Sequence, residues 1–201
     1  MRRALVAGAA AAGLAALFAA NGPAAARESW RVARADVRVV CPLTVGGSFE
    51  ARTSSLAGSL AVAGVRPAAL TGGLAVDLRT LDTGIGLRND HLRGTYLEVD
   101  KGEGYDTAVL SDIRLADAGA EGFPRRTSFT GLFLLHGVKK TIAGQAEVRR
   151  EGSSVRVEAS FPVTLADYGI ARPQYMGLGV KGQVQVKVSL VLSAVAPSAV
   201  Q

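Results

Sequence analysis

Over most of the chain beyond residue 35, hydrophobic and polar positions alternate with a period of two. In GQVQVKVSLVL, Val184, Val186, Val188, Leu190 and Leu192 fall on one face, and Gln183, Gln185, Lys187 and Ser189 on the other. One dry face and one wet face is the pattern of a half-buried strand. SSVRVEASF repeats it, with Val155, Val157, Ala159 and Phe161 opposite Arg156, Glu158 and Ser160. GLAVDLRTL sets Leu74, Val76 and Leu78 against Asp77 and Arg79. TAVLSDIRL sets Val109, Ser111, Ile113 and Leu115 against Leu110, Asp112 and Arg114.

Turn signals punctuate these runs: Val45-Gly46-Gly47, Gly64-Val65-Arg66-Pro67, Gly72-Gly73, Gly137 and Glu151-Gly152-Ser153. The expected strands lie at 30–42, 46–52, 56–64, 70–80, 105–116, 127–136, 139–150 and 154–163, with a last one near 181–193. Eight or nine short antiparallel strands make a sandwich or a closed barrel. No βαβ rhythm and no internal repeat is present. Two segments break the pattern. DTGIGLRNDHLRG (82–94) reads as a short helix capped by Asp82 or Thr83 and stopped by Gly94. LADYGIARPQYMGLGV (165–180) is rich in Gly and Pro and reads as a turn followed by a long loop. The run TSFTGLFLLHG is apolar on both faces, so strand 127–136 needs an outer cover, which the helix could supply, or has one face on an internal cavity.

The first 26 residues belong to a different regime. Arg2 and Arg3 precede a charge-free apolar run from Ala4 to Ala20, Asn21-Gly22-Pro23 breaks it, and Ala24-Ala25-Ala26 supplies small residues. This reads as a secretory signal peptide cleaved before Arg27, leaving residues 27–201 as one domain in the periplasm or outside the cell. An uncleaved anchor is the competing reading. Removing Arg2 and Arg3 from 23 basic residues leaves 21 against 17 acidic, a mild positive charge. No basic run with interleaved aromatics supports nucleic-acid binding, although a positive surface favours transient contact with anionic membrane headgroups. Homodimerisation is open.

Reactive side chains are few. Cys41 is the only cysteine and there are two histidines, His91 and His136. That pool is too small for a structural zinc site, and Asp82, Asp90 and Asp100 lack the spacing of a calcium loop, so no metal or other cofactor is expected. No Gly-x-Ser-x-Gly elbow or Walker glycine loop is present. Cys41 sits in an apolar stretch and reads as a small buried hydrophobe. His136 precedes Gly137 where a strand turns back, a place for a backbone hydrogen bond. His91, between Asp90 and Arg93, reads as part of a charge network pinning the helix. So little catalytic material beside so much alternating aliphatic surface points to a container, and an eight-stranded barrel leaves room for packed side chains or one slender ligand.

Four segments then resemble the YceI-like polyisoprenoid-binding family of bacteria. They are GGSFEARTSSLAGSL (46–60), LDTGIGLRNDHLRGTYLEVDKGEGYDTAVLSDIRL (81–115), FTGLFLLHGVKKTI (129–142) and FPVTLADYGI (161–170), in the family's order. The resemblance implies an all-β fold, a lipocalin-like eight-stranded antiparallel β-barrel with a short helix and loop cap. It also implies a long apolar tunnel for an isoprenoid lipid, such as a quinone tail or a polyprenyl phosphate. The sequence departs from the family in having no histidine before Gly47, in Thr95-Tyr96-Leu97 after the helix, and in the glycine-rich 101–105 stretch. These departures bear on ligand identity more than on fold.

On this reading the tunnel lining falls to Leu74, Val76, Ile113, Phe129, Phe133, Phe161, Val163 and Ile170. The polar cap falls to Arg88, Asp90, His91 and Arg93, which tie the helix to the barrel or face a headgroup. Two readings compete with a non-catalytic carrier. One is an enzyme acting on a lipid or quinone through His91 or His136, with Tyr168 or Asp167 assisting. The other is a barrel with a filled core and a structural role. A membrane-spanning barrel would need an aromatic girdle that six Phe, four Tyr and one Trp do not supply.

Overall fold

The computed structural model describes residues 29–65, 68–116, 126–175 and 178–195. The expected leader over 1–26 lies outside them. Nine long strands, β1 (Ser29–Pro42), β2 (Ser48–Thr53), β3 (Leu56–Val65), β4 (Ala68–Asp77), β5 (Thr107–Leu115), β6 (Arg126–Leu135), β7 (Val138–Glu151), β8 (Ser154–Thr164) and β11 (Gln183–Ala194), form one antiparallel sheet. A two-residue hairpin, β9 (Gln174–Tyr175) and β10 (Leu178–Gly179), sits in the segment expected to be loop.

Closure comes from β1. On one side it pairs with β11 from Trp30 opposite Ala194 to Val40 opposite Gln185. On the other it pairs with β3 (Trp30 opposite Leu60) and with β2 (Cys41 opposite Phe49) in one continuous register. β2 and β3 therefore lie end to end along β1, interrupted at Ser54-Ser55, and together make one stave. Nine strands close as an eight-stranded barrel.

Local chemistry sets the details. β6 and β7 are joined by the two-residue turn His136-Gly137, both in the left-handed region (φ +52° and +75°). Where β3 crosses β4, Gly58 and Gly72 let the backbones approach: a Cβ on Gly58 would stand 2.1 Å from the Gly73 carbonyl oxygen. β11 and β8 keep an unbroken alternation, so their faces fall as the pattern predicts. β5 does not. A bulge at Asp112 (φ +49°) shifts its register against both neighbours. Ala108, Leu110, Ile113 and Leu115 consequently face inward, and Val109 and Ser111, expected beside Ile113, are on the outer face.

The helix expected at 82–94 is displaced toward the C-terminus. A single α-turn, α1 (Gly86–Asp90), runs into a wider turn, His91–Tyr96, in which the Leu97 N–H donates to the Leu92 carbonyl five residues back. Neither Asp82 nor Thr83 caps it. Ile85 occupies that position without a side-chain cap, while Thr83 donates its N–H and hydroxyl to Asn89 Oδ1 (2.8 and 2.7 Å). Asn89 Nδ2 donates in turn to Asp82 Oδ1 at 2.7 Å. Gly94 does not stop the helix. The backbone turns out of it at Glu98, in the left-handed conformation (φ +50°).

Candidate functional site

The barrel interior is not filled. It encloses a cavity of about 710 Å³, within the range of small-molecule sites. Its wall is built by the period-two alternation: Val184, Val186, Val188, Leu190 and Leu192 from β11, and Val155, Val157, Ala159, Phe161 and Val163 from β8. All eight residues expected to line a tunnel stand on this wall: Leu74 and Val76 from β4, Ile113 from β5, Phe129 and Phe133 from β6, Phe161 and Val163 from β8, and Ile170 beyond it. Phe133 packs edge-to-face on Phe161 (5.4 Å between centroids) and on Tyr168 (5.9 Å), which fixes the aromatic side of the wall.

The doubly apolar strand resolves in the same way. The Phe face of β6 meets the cavity, whereas Leu132 and Leu134 are half-buried on the outside. The helix does not cover them. Leu87, Arg88, His91, Leu92 and Tyr96 line the cavity, so the helical segment is a lid over one end of the barrel. The opposite end is closed by Trp30 and Val155, 1% and 0% exposed.

Hydrogen bonds hold the lid at several points. Asp82 and Arg52 exchange backbone hydrogen bonds at 2.8 and 2.9 Å, which ties its entry to β2. Arg93 Nη2 donates to the Leu81 carbonyl at 2.7 Å. The Gln174 N–H donates to the Tyr96 hydroxyl at 3.3 Å, which links the lid to the β9–β10 loop. The four expected cap residues thus divide. Arg93 ties the lid to the framework. Arg88 and His91 face the cavity, and His91 enters no charge network with Asp90 or Arg93. Asp90 is exposed and off the wall, because at about 100° per residue it points away from the face that Arg88 and His91 share.

His136 has a structural position away from the cavity wall. Its Nδ1 lies 2.9 Å from the Tyr168 carbonyl oxygen and its Nε2 3.0 Å from Glu98 Oε2. Lys101 at 2.8 Å and His136 hold the Glu98 carboxyl below its ordinary range. Asp167 pairs instead with Lys140 at 2.9 Å, and burial pushes the Tyr168 phenol up. Of the groups that the enzyme reading names, His136 meets Tyr168 at its backbone carbonyl and not at the phenol. His91 is on the lid, and both nitrogens of His136 are engaged behind the wall. Among the described residues no cluster of three or more His, Cys, Asp or Glu could hold a metal.

Two features of the mouth were not read from the sequence. Cys41 lines the cavity, and burial pushes its thiol up to about 11. The Arg88 guanidinium lies 4.4 Å from the centroid of the Phe49 ring on β2. No motif marks either residue; only barrel closure brings positions 41, 49 and 88 together.

A match to the YceI-like domain family spans residues 30–192, the whole barrel. The chain belongs to the YceI-like family. Among solved structures, Burkholderia cenocepacia BcnA superposes with a TM-score of 0.65 at 18% identity, covering 78% of this chain and 95% of that one. A polyisoprenoid-binding domain from Saccharophagus degradans, implicated in plant cell wall breakdown, gives 0.60 at 19% identity over 83% and 98%. At such identities these likenesses establish the shared fold alone. No curated protein matches the chain. In this YceI-like barrel Val37, Val39 and Cys41 of β1 line the interior, and Tyr96 lines it from the lid.

Proposed function

We propose that this protein is a non-catalytic carrier that holds the apolar chain of an isoprenoid lipid or quinone inside the barrel, in the periplasm or outside the cell. The observation that carries this reading is the cavity of about 710 Å³ with an almost wholly aliphatic and aromatic wall, open under the lid and closed at the other end. Apolar burial is worth about 25 cal/mol per Å², so every 100 Å² of chain surface withdrawn from water contributes about 2.5 kcal/mol without a directional contact. The polyisoprenoid-binding neighbour supports the choice of chain. The leader-like first 26 residues support export.

The rim supports exchange with a bilayer. Ile85 and Leu87 are 49% and 57% exposed although they also line the mouth, and Val45 in the adjoining β1–β2 turn is 68% exposed. Apolar side chains there would meet acyl chains as the ligand enters or leaves. The test is extraction of protein purified from its own host into organic solvent, followed by mass spectrometry. A co-purifying isoprenoid chain in near-stoichiometric amount is expected. Repeated recovery of no lipid would count against the carrier reading.

A further inference from the structure

We propose that the ligand carries a terminal anionic group, a phosphate or a carboxylate, and that Arg88 seats this group at the mouth while the hydrocarbon chain runs inward. The proposal rests on the carrier reading and specifies which chain the cavity takes. Among the described residues, Arg88 is the one Lys or Arg on the cavity wall, and no Asp or Glu lies there. Among the described residues several arginines off the wall pair with carboxylates, such as Arg38 with Asp36, Arg52 with Glu50, Arg79 with Asp77 and Arg156 with Glu151, and those that do not, such as Arg31, Arg34 and Arg114, stand away from the cavity. Arg88 has none within 4.0 Å among the described residues, and its guanidinium rests against the Phe49 ring. The contact with that ring occupies none of the guanidinium N–H donors in a hydrogen bond, which leaves them for an acceptor from outside the protein.

Placement gives the direction of the chain. Ser48, Thr83, Arg88, His91, Tyr96 and Gln174, the polar side chains of the wall, belong to the lid and its approach, the start of β2 and the start of β9. The far end is Trp30, Leu60, Leu115, Phe129, Val155 and Leu192. A charge at that end would be stripped of water with no partner, whereas at the mouth it meets a fixed cation and keeps part of its hydration. A half-buried guanidinium facing an apolar space without a counter-ion is itself costly to keep, and a ligand anion removes that cost.

The test measures binding to delipidated full-length protein of a matched series: an isoprenyl phosphate, a carboxylate of equal chain length, and the corresponding neutral alcohol. Each is titrated against wild type, Arg88→Gln and Arg88→Lys, with thermal unfolding confirming that the variants fold. Anions should bind wild type about ten- to a hundred-fold more tightly than the alcohol. Arg88→Gln should erase that difference and leave alcohol affinity within about threefold; Arg88→Lys should retain most of it. The phosphate and carboxylate arms tell which anion is preferred, and either order supports the proposal. Equal binding of anion and alcohol to wild type, or an anion preference that survives in Arg88→Gln, would overturn the headgroup assignment and leave the carrier reading standing. Failure of every chain to bind would overturn both.

Discussion

Replacing Ala159 by tryptophan should block the cavity at mid-height without unfolding the barrel. Ala159 on β8 stands level with Ala146 on β7 and Val188 on β11, and all three line the cavity. An indole introduced there meets open space rather than packed atoms. In a filled core, such an addition costs roughly 1–3 kcal/mol in strained rotamers and shifted backbone. Here it should bury about 150 Å² of its own surface, worth ~4 kcal/mol at about 25 cal/mol per Å², less about 1 kcal/mol of frozen rotamer freedom. Unfolding free energy should therefore stay level or rise. Ligand linkage should move the other way. A chain at a hundred times its Kd stabilises wild type by about 2.7 kcal/mol, which raises the Tm of a domain this size by about 5–10 °C. The assay is thermal unfolding by circular dichroism, with and without a saturating isoprenoid chain, on wild type and Ala159→Trp. A wild-type shift of that order and a variant shift near zero are expected. A variant destabilised by 1–3 kcal/mol that keeps the full ligand shift would show that the interior is packed at this level and that the chain binds elsewhere.

Three further outcomes follow from other parts of the molecule. Gly58→Ala should cost about 2–4 kcal/mol in chemical denaturation, because its φ of +144° is strained for alanine and its Cβ would overlap the Gly73 carbonyl; a loss under 1 kcal/mol would contradict the close crossing of β3 and β4. Glu98 has a carboxyl held low in the folded state by Lys101 and then His136, so its contribution is present above the unfolded carboxylate value of about 4.3 and is lost as pH falls through the lower folded value. Glu98→Gln should accordingly show a shallower acid limb of Tm against pH below about 4.3, and identical limbs would rule out the linkage. Cys41, the only cysteine, should react with a disulfide reagent at pH 8 on the order of 10²-fold more slowly than a free thiol, because burial holds it at about 11, and more slowly still when a chain fills the cavity. Rapid labelling would place the thiol outside the wall.

How much of this was legible in the sequence depended on whether a rule acts locally. The faces of β8 and β11 were readable because nothing interrupts their period of two. β5 was misphased because its bulge rests on Asp112, a residue that tolerates the left-handed region but does not announce it. Ser54-Ser55 reads as a turn between strands, and only the shared register along β1 shows that β2 and β3 form one stave. The lid was placed too early because Gly94 looks like a stop. The actual exit, at Glu98, is held by His136, a partner 38 residues away that no local pattern reveals. Arg88 was visible as one charge among several, but its lack of a carboxylate is a property of the folded mouth.

The same distinction bears on selectivity. A wall position must only be apolar and inward, which many residues satisfy, so the fold can persist at 18–19% identity to its structural neighbours. Apolar burial is also non-directional and scales with area, so wall substitutions should change the affinity of all chains of one length together. Discrimination between chains of equal area must then come from the few polar contacts, because specificity is a difference of affinities and a mismatched polar group costs more than a missing methylene. In this barrel those contacts gather under the lid. Leu190→Ala should thus weaken phosphate, carboxylate and alcohol by a common factor, whereas Arg88→Gln should reorder them. Ranking the three ligands on both variants by competitive displacement checks the division. A reordering by Leu190→Ala would mean that the wall reads headgroups, and selectivity would then have to be sought along the whole length of the cavity.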